Sequence, residues 1–534
     1  MIALVGSASL LLSCAPSRPA NGTFDLRDYG ATGDGVADDG PALQSALRAM
    51  AAAGGGTLHL PAGHYAILTP VDQDFRGAAS AVTIRGVASN AAVAPAGASA
   101  DQLAQGLDLV SELLPRTGPR GKAVTLRGLD RLSIRDIAFV GTPDVETDAL
   151  VTLALDGIEE ATVAHCEFYG LSSRVAGGAI VLAERSHLTI AGSAFLGSTA
   201  ESSLYAPVVE NLEWKGITVA DTVFVDYGQR GALYGKLGLG PPLSWIDIGN
   251  AAPPTSDSPR REVVIRNVFL DEGGWMGITR FPGRHGPPSA PIDLVYVTGL
   301  RMNVSKLGTS GHSFDRIERV LIEDSHYGRS QNTDSAIHLL GVGEAILSRL
   351  ACVDGIRCVH AAAETGRVTV IDSVYTRIDS LAQTSDVIPA GSAAGDPVLY
   401  VRQRFAALAG RAPDAAAHFY WSRRILHCGE DASCVADRRR ELDAYLASSP
   451  RPSFSISGTV TREDGAPLRG LPVTLSGSQS VATVTNGDGR YHFAGLPTSG
   501  VYTVRAWKPR FTIPPRTFTT PAGDCVADIT AVPD

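Results

Sequence analysis

Residues Phe24 to Tyr65, FDLRDYGATGDGVADDGPALQSALRAMAAAGGGTLHLPAGHY, decide the fold of the chain. Phe24-Asp25-Leu26 alternates apolar and polar residues, the period of a half-buried strand. From Tyr29-Gly30 to Asp38-Asp39 the residues are turn formers, because glycine accepts positive φ and aspartate bonds nearby backbone N–H groups. Asp38 or Asp39 stands where it would cap a helix, and Leu43, Ala46, Leu47 and Met50 then recur at i, i+3, i+4 and i+7. Gly54-Gly55-Gly56 ends that helix, and Thr57-Leu58-His59-Leu60-Pro61 starts another strand. The acidic residues here read as turn and cap builders rather than as a catalytic site.

Downstream, one six-residue pattern recurs: apolar, any, turn-prone, any, any, large apolar. It begins at Ile134, Val163, Ile190, Val219, Ile265, Val297, Ile322, Leu347 and Val370, with spacings of 29, 27, 29, 46, 32, 25, 25 and 23 residues. A period in the twenties to low thirties is one coil of a solenoid, in which each coil buries the apolar edge of the next. The third position is Asp136, His165, Gly192, Asp221, Asn267, Gly299, Asp324, Arg349 and Asp372. Most of these enter left-handed conformations cheaply, so the column predicts a repeated tight turn. The sixth is Phe139, Phe168, Phe195, Phe224, Leu270, Met302, Tyr327, Cys352 and Tyr375, and predicts an internal stack. The 46-residue gap predicts an inserted loop between about Gly228 and Arg261, and Ala88 to Gly106 reads as another loop.

The opening stretch resembles the N-terminal signature of the pectate-lyase-like superfamily, in Asp28-Tyr29-Gly30-Ala31, Gly33-Asp34-Gly35, Asp38-Asp39, Gly54-Gly55-Gly56 and Pro61-Ala62-Gly63-His64-Tyr65. The resemblance implies an all-β fold, a right-handed single-stranded parallel β-helix with an N-terminal capping helix, over residues 23–390. It does not fix the reaction, since the superfamily includes lyases, hydrolases, epimerases and phage-type depolymerases.

Before this domain, MIALVGSASLLLSC is an apolar run ending in Leu11-Leu12-Ser13-Cys14, which resembles a bacterial lipobox with Cys14 as the lipidated residue. No Lys or Arg precedes the run, as a signal peptide should have. Residues 1–22 then read as a lipoprotein signal and tether, which implies an exported, membrane-anchored chain at the cell surface or in the periplasm. Cys352 and Cys358 are six apart, as are Cys428 and Cys434; two local disulfides fit an exported protein. Cys166 and Cys525 are left over, and no Cys/His cluster has zinc-ligand spacing. The net charge of −9 gives no reason to propose nucleic acid as partner.

After the solenoid, residues 396–450 favour helix and resemble a short bacterial module of unknown function through Gly410-Arg411-Ala412-Pro413-Asp414 and Tyr420-Trp421. Residues 453–534 alternate, with turns at short intervals such as Asn486-Gly487-Asp488-Gly489, and predict a small β-sandwich. They resemble carboxypeptidase-regulatory-like, transthyretin-like repeats. Asn486 and Asp488 offer oxygen ligands to calcium, the one cofactor suggested, but the run reads first as a hairpin turn.

In β-helix enzymes of the superfamily, substrate lies in a groove across parallel strands. Upstream of successive repeated strands stand Trp245 and Asp247; Trp275 and Arg280; His312; Asp334 and His338; and Arg357 and His360, with Arg284 and His285 on a Gly/Pro-rich loop. Asp247, Arg280, His312, Asp334 and His338 are the candidate catalytic residues. Trp245, Trp275, Arg284, His285, Arg357 and His360 are candidates for holding a polysaccharide. Indoles stack on sugars, carboxylates and imidazoles exchange protons, and Arg pairs with uronate carboxylates. Elimination needs a base for the proton α to a uronate carboxylate, whereas hydrolysis needs two carboxylates flanking the bond. Asn332-Thr333-Asp334 resembles a motif of polygalacturonase-type hydrolases, but the paired Asp-Asp that should follow is missing. The expected function is that of a polysaccharide lyase or glycoside hydrolase; the alternative is a non-catalytic glycan-binding or adhesion protein.

Overall fold

A computed structural model describes residues 22–88, 107–118, 121–141, 151–173, 179–196, 199–201, 209–212, 216–225, 239–240, 244–248, 262–273, 275–278, 292–304, 312–328, 335–353, 357–375, 386–388, 395–448, 453–462, 465–477, 481–497, 501–506, 508, 511–513, 515–519 and 525–533. Cys14, Arg280, Arg284, His285 and Asp334 lie outside them. The chain divides into two compact units, Met1–Pro389 and Ala390–Asp534.

The first unit opens with strand Thr23–Asp25, a 3-10 turn Leu26–Tyr29, strand Asp34–Asp38 and helix Gly40–Ala53. The helix buries Leu43, Ala46, Leu47 and Met50 on one face, and Gly54, at φ 85°, ends it. Asp39 occupies the cap position, but its carboxylate turns back to accept from the Thr32 N–H at 2.7 Å, the Thr32 hydroxyl at 3.2 Å and the Gly33 N–H at 3.3 Å. Asp38 accepts instead from the N–H groups of Gly40 and Leu68, both at 3.0 Å, and of Thr69 at 3.2 Å. These acids build the N-terminal turn. Part of the segment expected as turn is a strand: Asp34–Asp38 pairs in parallel with Gly63–Ile67 across a register shift. That pairing is long-range, and local turn propensity does not reveal it.

Two long parallel sheets follow. One has ten strands, in spatial order Val71–Asp74, Lys122–Arg127, Val151–Asp156, Ala179–Glu184, Val209–Leu212, Ser244–Ile248, Trp275–Ile278, His312–Asp315, Ser335–Leu340 and Arg357–Ala361. The other, of 23 strands, carries the nine repeats. Their first positions pair in unbroken register from Ile134 through Val163, Ile190, Val219, Ile265, Val297, Ile322 and Leu347 to Val370. Every third-position residue has positive φ, from 42° at Asp372 to 64° at Gly299, and His165 and Arg349 share it at 50° and 52°. One bend is thus imposed on every coil, even where the side chain does not favour it. The sixth positions from Phe139 to Cys352 are buried and form the internal stack. Phe139, Phe168, Phe195 and Phe224 lie nearly parallel, with centroids 4.8, 4.5 and 4.6 Å apart. Sequence period, stacked sheets and one continuous buried core make this unit a parallel β-helix.

The gap expected as one inserted loop contains ordered sheet. Ser244–Ile248 is a member of the ten-stranded sheet, and Leu239–Gly240 pairs antiparallel with Thr199–Glu201. The six-residue pattern marks only the other sheet, so strands of the ten-stranded sheet fall inside apparent gaps.

The second unit contains helices Pro397–Arg404, Ala415–Leu426 and Ala432–Ser448. Asp414, of the Arg-Ala-Pro-Asp run, caps Ala415–Leu426 by accepting from the Ala417 N–H at 2.8 Å. Cys428 and Cys434 are disulfide-bonded. Strands from Ser453 to Pro533 form a four-stranded and a five-stranded sheet, with Ile456, Val473, Phe493 and Tyr502 in their common core. The side-chain oxygen of Asn486 accepts from the N–H groups of Asp488 and Arg490 at 3.0 and 2.8 Å, so the Asn-Gly-Asp-Gly run is a closed turn.

Candidate functional site

Successive side chains of a strand point to opposite faces of the sheet. In the ten-stranded sheet, Val124, Leu153, Val181, Ile337 and Val359 belong to the core, as do Leu126, Leu155, Ala183, Phe314, Leu339 and Ala361. The positions between these two columns point away from the core at Thr125, Ala154, Leu182, His338 and His360. Parallel pairing puts the backbone of Asp72, Thr125, Ala154, Leu182, Glu210, Asp247, Gly277, Ser313, His338 and His360 in one register column.

Three candidates from the sequence therefore share one register column: Asp247, His338 and His360. His338 and His360 are neighbours, with ring centroids 5.5 Å apart and planes tilted by 51°. Both are half-buried. Asp247 is three strands from His338, about 14 Å at 4.7–4.9 Å per strand, so it does not share a reacting bond with the imidazoles. Arg357 pairs with Ser335, and Trp275 pairs with Ser244. Trp245 falls in a register shift between Ser244 and Ile246. His312 pairs with Ile337, a core position, one column over from His338.

Two positions join the site that sequence reasoning passed over. Glu210 stands directly opposite Asp247 on the adjacent strand. Its strand, Val209–Leu212, is only four residues long and has no large apolar residue of the repeat to announce it. Asp315 is two residues beyond Ser313, hence on the same face, and pairs with Leu340. One strand across and two residues along put its Cα about 8 Å from that of His338. Burial pushes the Asp315 carboxyl above the usual range; Arg316 opposes this and Glu364 adds to it. The signal in the sequence was the alternation His312-Ser313-Phe314-Asp315, with Phe314 inward.

Covalent structure steadies this end of the sheet. Cys352 lies in the internal stack and Cys358 on strand Arg357–Ala361; both are 1% exposed and they are bonded to each other. The bridge ties the strand that carries His360 to the opposite sheet. Among the described residues, no group of three or more His, Cys, Asp or Glu is arranged to hold a metal ion. A cleft of about 440 Å³ belongs to the C-terminal sandwich, lined by Arg516, Thr517, Phe518, Val526, Ala527 and Asp528. It has neither imidazole nor indole, so chemistry argues for the column on the solenoid.

Two segments of the chain match known families. Residues 23–111 match the family described as rhamnogalacturonase A/epimerase, pectate lyase-like. Residues 455–531 match the carboxypeptidase regulatory-like domain. Mannuronan C5-epimerase AlgE3 of Azotobacter vinelandii is 56% identical over 46 residues, which are 9% of this chain and 2% of that protein. Alginate lyase 7 of the same organism is 48% identical over 44 residues, 8% of this chain and 5% of that protein. The chain thus aligns with only a small fraction of the length of these curated relatives. Among solved structures, PfbA, a surface adhesin of Streptococcus pneumoniae, superimposes with a TM-score of 0.42 at 14% identity, over 69% of this chain and 93% of that one. The endo-xylogalacturonan hydrolase of Aspergillus tubingensis gives 0.34 at 12% identity, over 69% of this chain and 100% of that one.

Proposed function

We propose that this chain is a polysaccharide-cleaving enzyme that works by elimination on a uronate-containing glycan, with His338 and His360 as its proton-abstracting groups and Asp315 as its acid. The observation that carries the reading is the half-buried imidazole pair on the outward face, diagonal to a carboxyl whose burial favours the protonated form. One imidazole removes the proton α to the uronate carboxylate. The electron pair left behind forms the double bond as the bond to the glycosidic oxygen breaks, and Asp315 returns a proton to that oxygen. The short matches to mannuronan epimerases and to an alginate lyase support an acidic sugar polymer as substrate.

A second reading, hydrolysis, is favoured by one observation: Glu210 and Asp247 are register partners. A retaining hydrolase uses two carboxylates near one bond, and adjacent strands place these two Cα atoms about 4.8 Å apart. Incubating the purified chain with a panel of uronate and neutral polysaccharides separates the two. Elimination yields a conjugated, ultraviolet-absorbing product that His338→Ala and His360→Ala abolish. Hydrolysis yields reducing ends without that absorbance and depends on Asp247 and Glu210. If no glycan is cleaved while binding persists, the chain is a surface glycan-binding or adhesion protein instead.

On this reading the protein is exported and tethered to a membrane through Cys14. The two disulfides support an oxidising compartment. Among the described residues, no helix is long and apolar enough to cross a membrane. Cys14→Ser should move the protein from the membrane fraction to the soluble one; identical fractionation of both forms would dismiss the tether.

A further inference from the structure

Five strands of the ten-stranded sheet are followed at once by a residue of positive φ: Gly128 at 70°, Gly157 at 62°, Arg185 at 49°, Arg316 at 54° and Gly341 at 70°. Glycine takes this turn without strain, and arginine does not. Arg185 is tied there by an ion pair to Asp156. Arg316 is exposed, and among the described residues no ion pair engages its guanidinium. Its strained place in the turn therefore serves no salt bridge, and such strain points to function. The turn also sets Arg316 beside the site. It directly follows Asp315, and its N–H donates to the Leu340 carbonyl at 2.9 Å. Leu340 is two residues beyond His338 on the same face of the neighbouring strand, about 6.7 Å along it. Next to Arg316 the corner is bare: a Cβ on Gly341 would meet only the Glu364 Cγ at 3.6 Å and the Arg316 N at 4.0 Å.

We infer that Arg316 receives the carboxylate of the uronate that loses its α proton, and so makes the site specific for acidic sugars. This rests on the reading of His338 and His360 as the proton-abstracting groups. Removal of the α proton leaves an electron pair that delocalises onto that carboxylate, where negative charge grows before the glycosidic bond breaks. A planar guanidinium offers the two carboxylate oxygens parallel N–H donors and a fixed positive charge. Donors already aimed at growing charge stabilise the transition state more than the bound substrate. A neutral sugar leaves the guanidinium without its partner, so the same residue selects the substrate and speeds the proton transfer.

The test compares the wild-type full chain with Arg316→Gly, Arg316→Lys and His338→Ala. The substrates are the uronate polymer that the wild type cleaves best and the same polymer methyl-esterified. Glycine suits the turn, so Arg316→Gly should melt no lower than the wild type, which separates lost activity from lost fold. The expected result is a kcat on the free-acid polymer lowered about 10²–10³-fold by Arg316→Gly and partly restored by Arg316→Lys, with the esterified polymer little affected. Wild-type kcat in Arg316→Gly overturns the inference, and leaves the catalytic reading intact if His338→Ala abolishes the absorbing product. Full activity in His338→Ala with loss in Arg316→Gly supports the cation and overturns the role of the imidazoles. If the wild type cleaves nothing, the catalytic reading fails and equilibrium binding decides the inference. Binding of the free-acid polymer alone weakened by Arg316→Gly supports carboxylate recognition; equal binding by both chains, or none by either, overturns it.

Discussion

Replacing Phe168 by alanine tests the stacked-coil core directly. Phe168 is fully buried and lies between Phe139 and Phe195, with ring centroids 4.8 and 4.5 Å away. Truncating a buried phenylalanine costs about 3–5 kcal/mol. Of that, the two stacked contacts account for about 1–3 kcal/mol, at about 0.5–1.5 each. Neighbouring coils hold the rest of the cavity wall in register, so the void cannot easily collapse. The control is the next residue: Tyr169 is 47% exposed, and Tyr169→Ala should change stability by only about 0.5 kcal/mol or less. Urea unfolding followed by hydrogen exchange at amides of the neighbouring coils reports this unit apart from the second. The expected result is a lower midpoint and faster exchange in the coils of Phe139, Phe168 and Phe195 for Phe168→Ala alone. Equal effects of the two variants would falsify the stacked-core account.

Four further outcomes follow. Glu323 is fully buried and accepts from Tyr296 at 2.6 Å and Arg349 at 2.5 Å, so Arg349→Ala should cost about 3–5 kcal/mol by stranding a buried carboxylate, and Glu323→Gln in that background should recover part of it in urea unfolding. Asp39→Ala should destabilise the N-terminal turn by at least about 2 kcal/mol, since it orphans three donors, and limited proteolysis should first cut near Thr32. Burial holds the His165 imidazole below its ordinary value, with Asp136 opposing and Arg135 reinforcing. The unfolded chain therefore binds that proton first as pH falls, and stability drops below about pH 6.5; His165→Asn, which tolerates the left-handed turn, should flatten this slope in thermal melts. Burial pushes the Cys166 thiol up to about 12, so maleimide should label Cys525 in the native chain and spare Cys166; equal labelling would mean that the solenoid opens readily.

Much of the fold is legible because the solenoid is local and repetitive. The nine repeats announce themselves through a turn residue and a large apolar residue three positions apart, and every one of these turns takes positive φ in the structure. Strands outside the pattern are less legible. Asp34–Asp38 hides in turn-forming residues, and Ser244–Ile248 hides in an apparent insertion, because each is held by a partner strand distant in sequence.

The site divides the same way. The groove implied by the superfamily resemblance, together with side-chain chemistry, nominated Asp247, His338 and His360 among other residues upstream of the repeated strands. Glu210 and Asp315 look no different from other acids until register places one opposite Asp247 and the other diagonal to His338. Amino-acid order determined the coil, its period, its turn and its core, since these follow from side-chain volume and backbone freedom within some thirty residues. Which residues share a register column came only with the stacked strands. Neighbours there are set by hydrogen-bonded register between segments far apart along the chain.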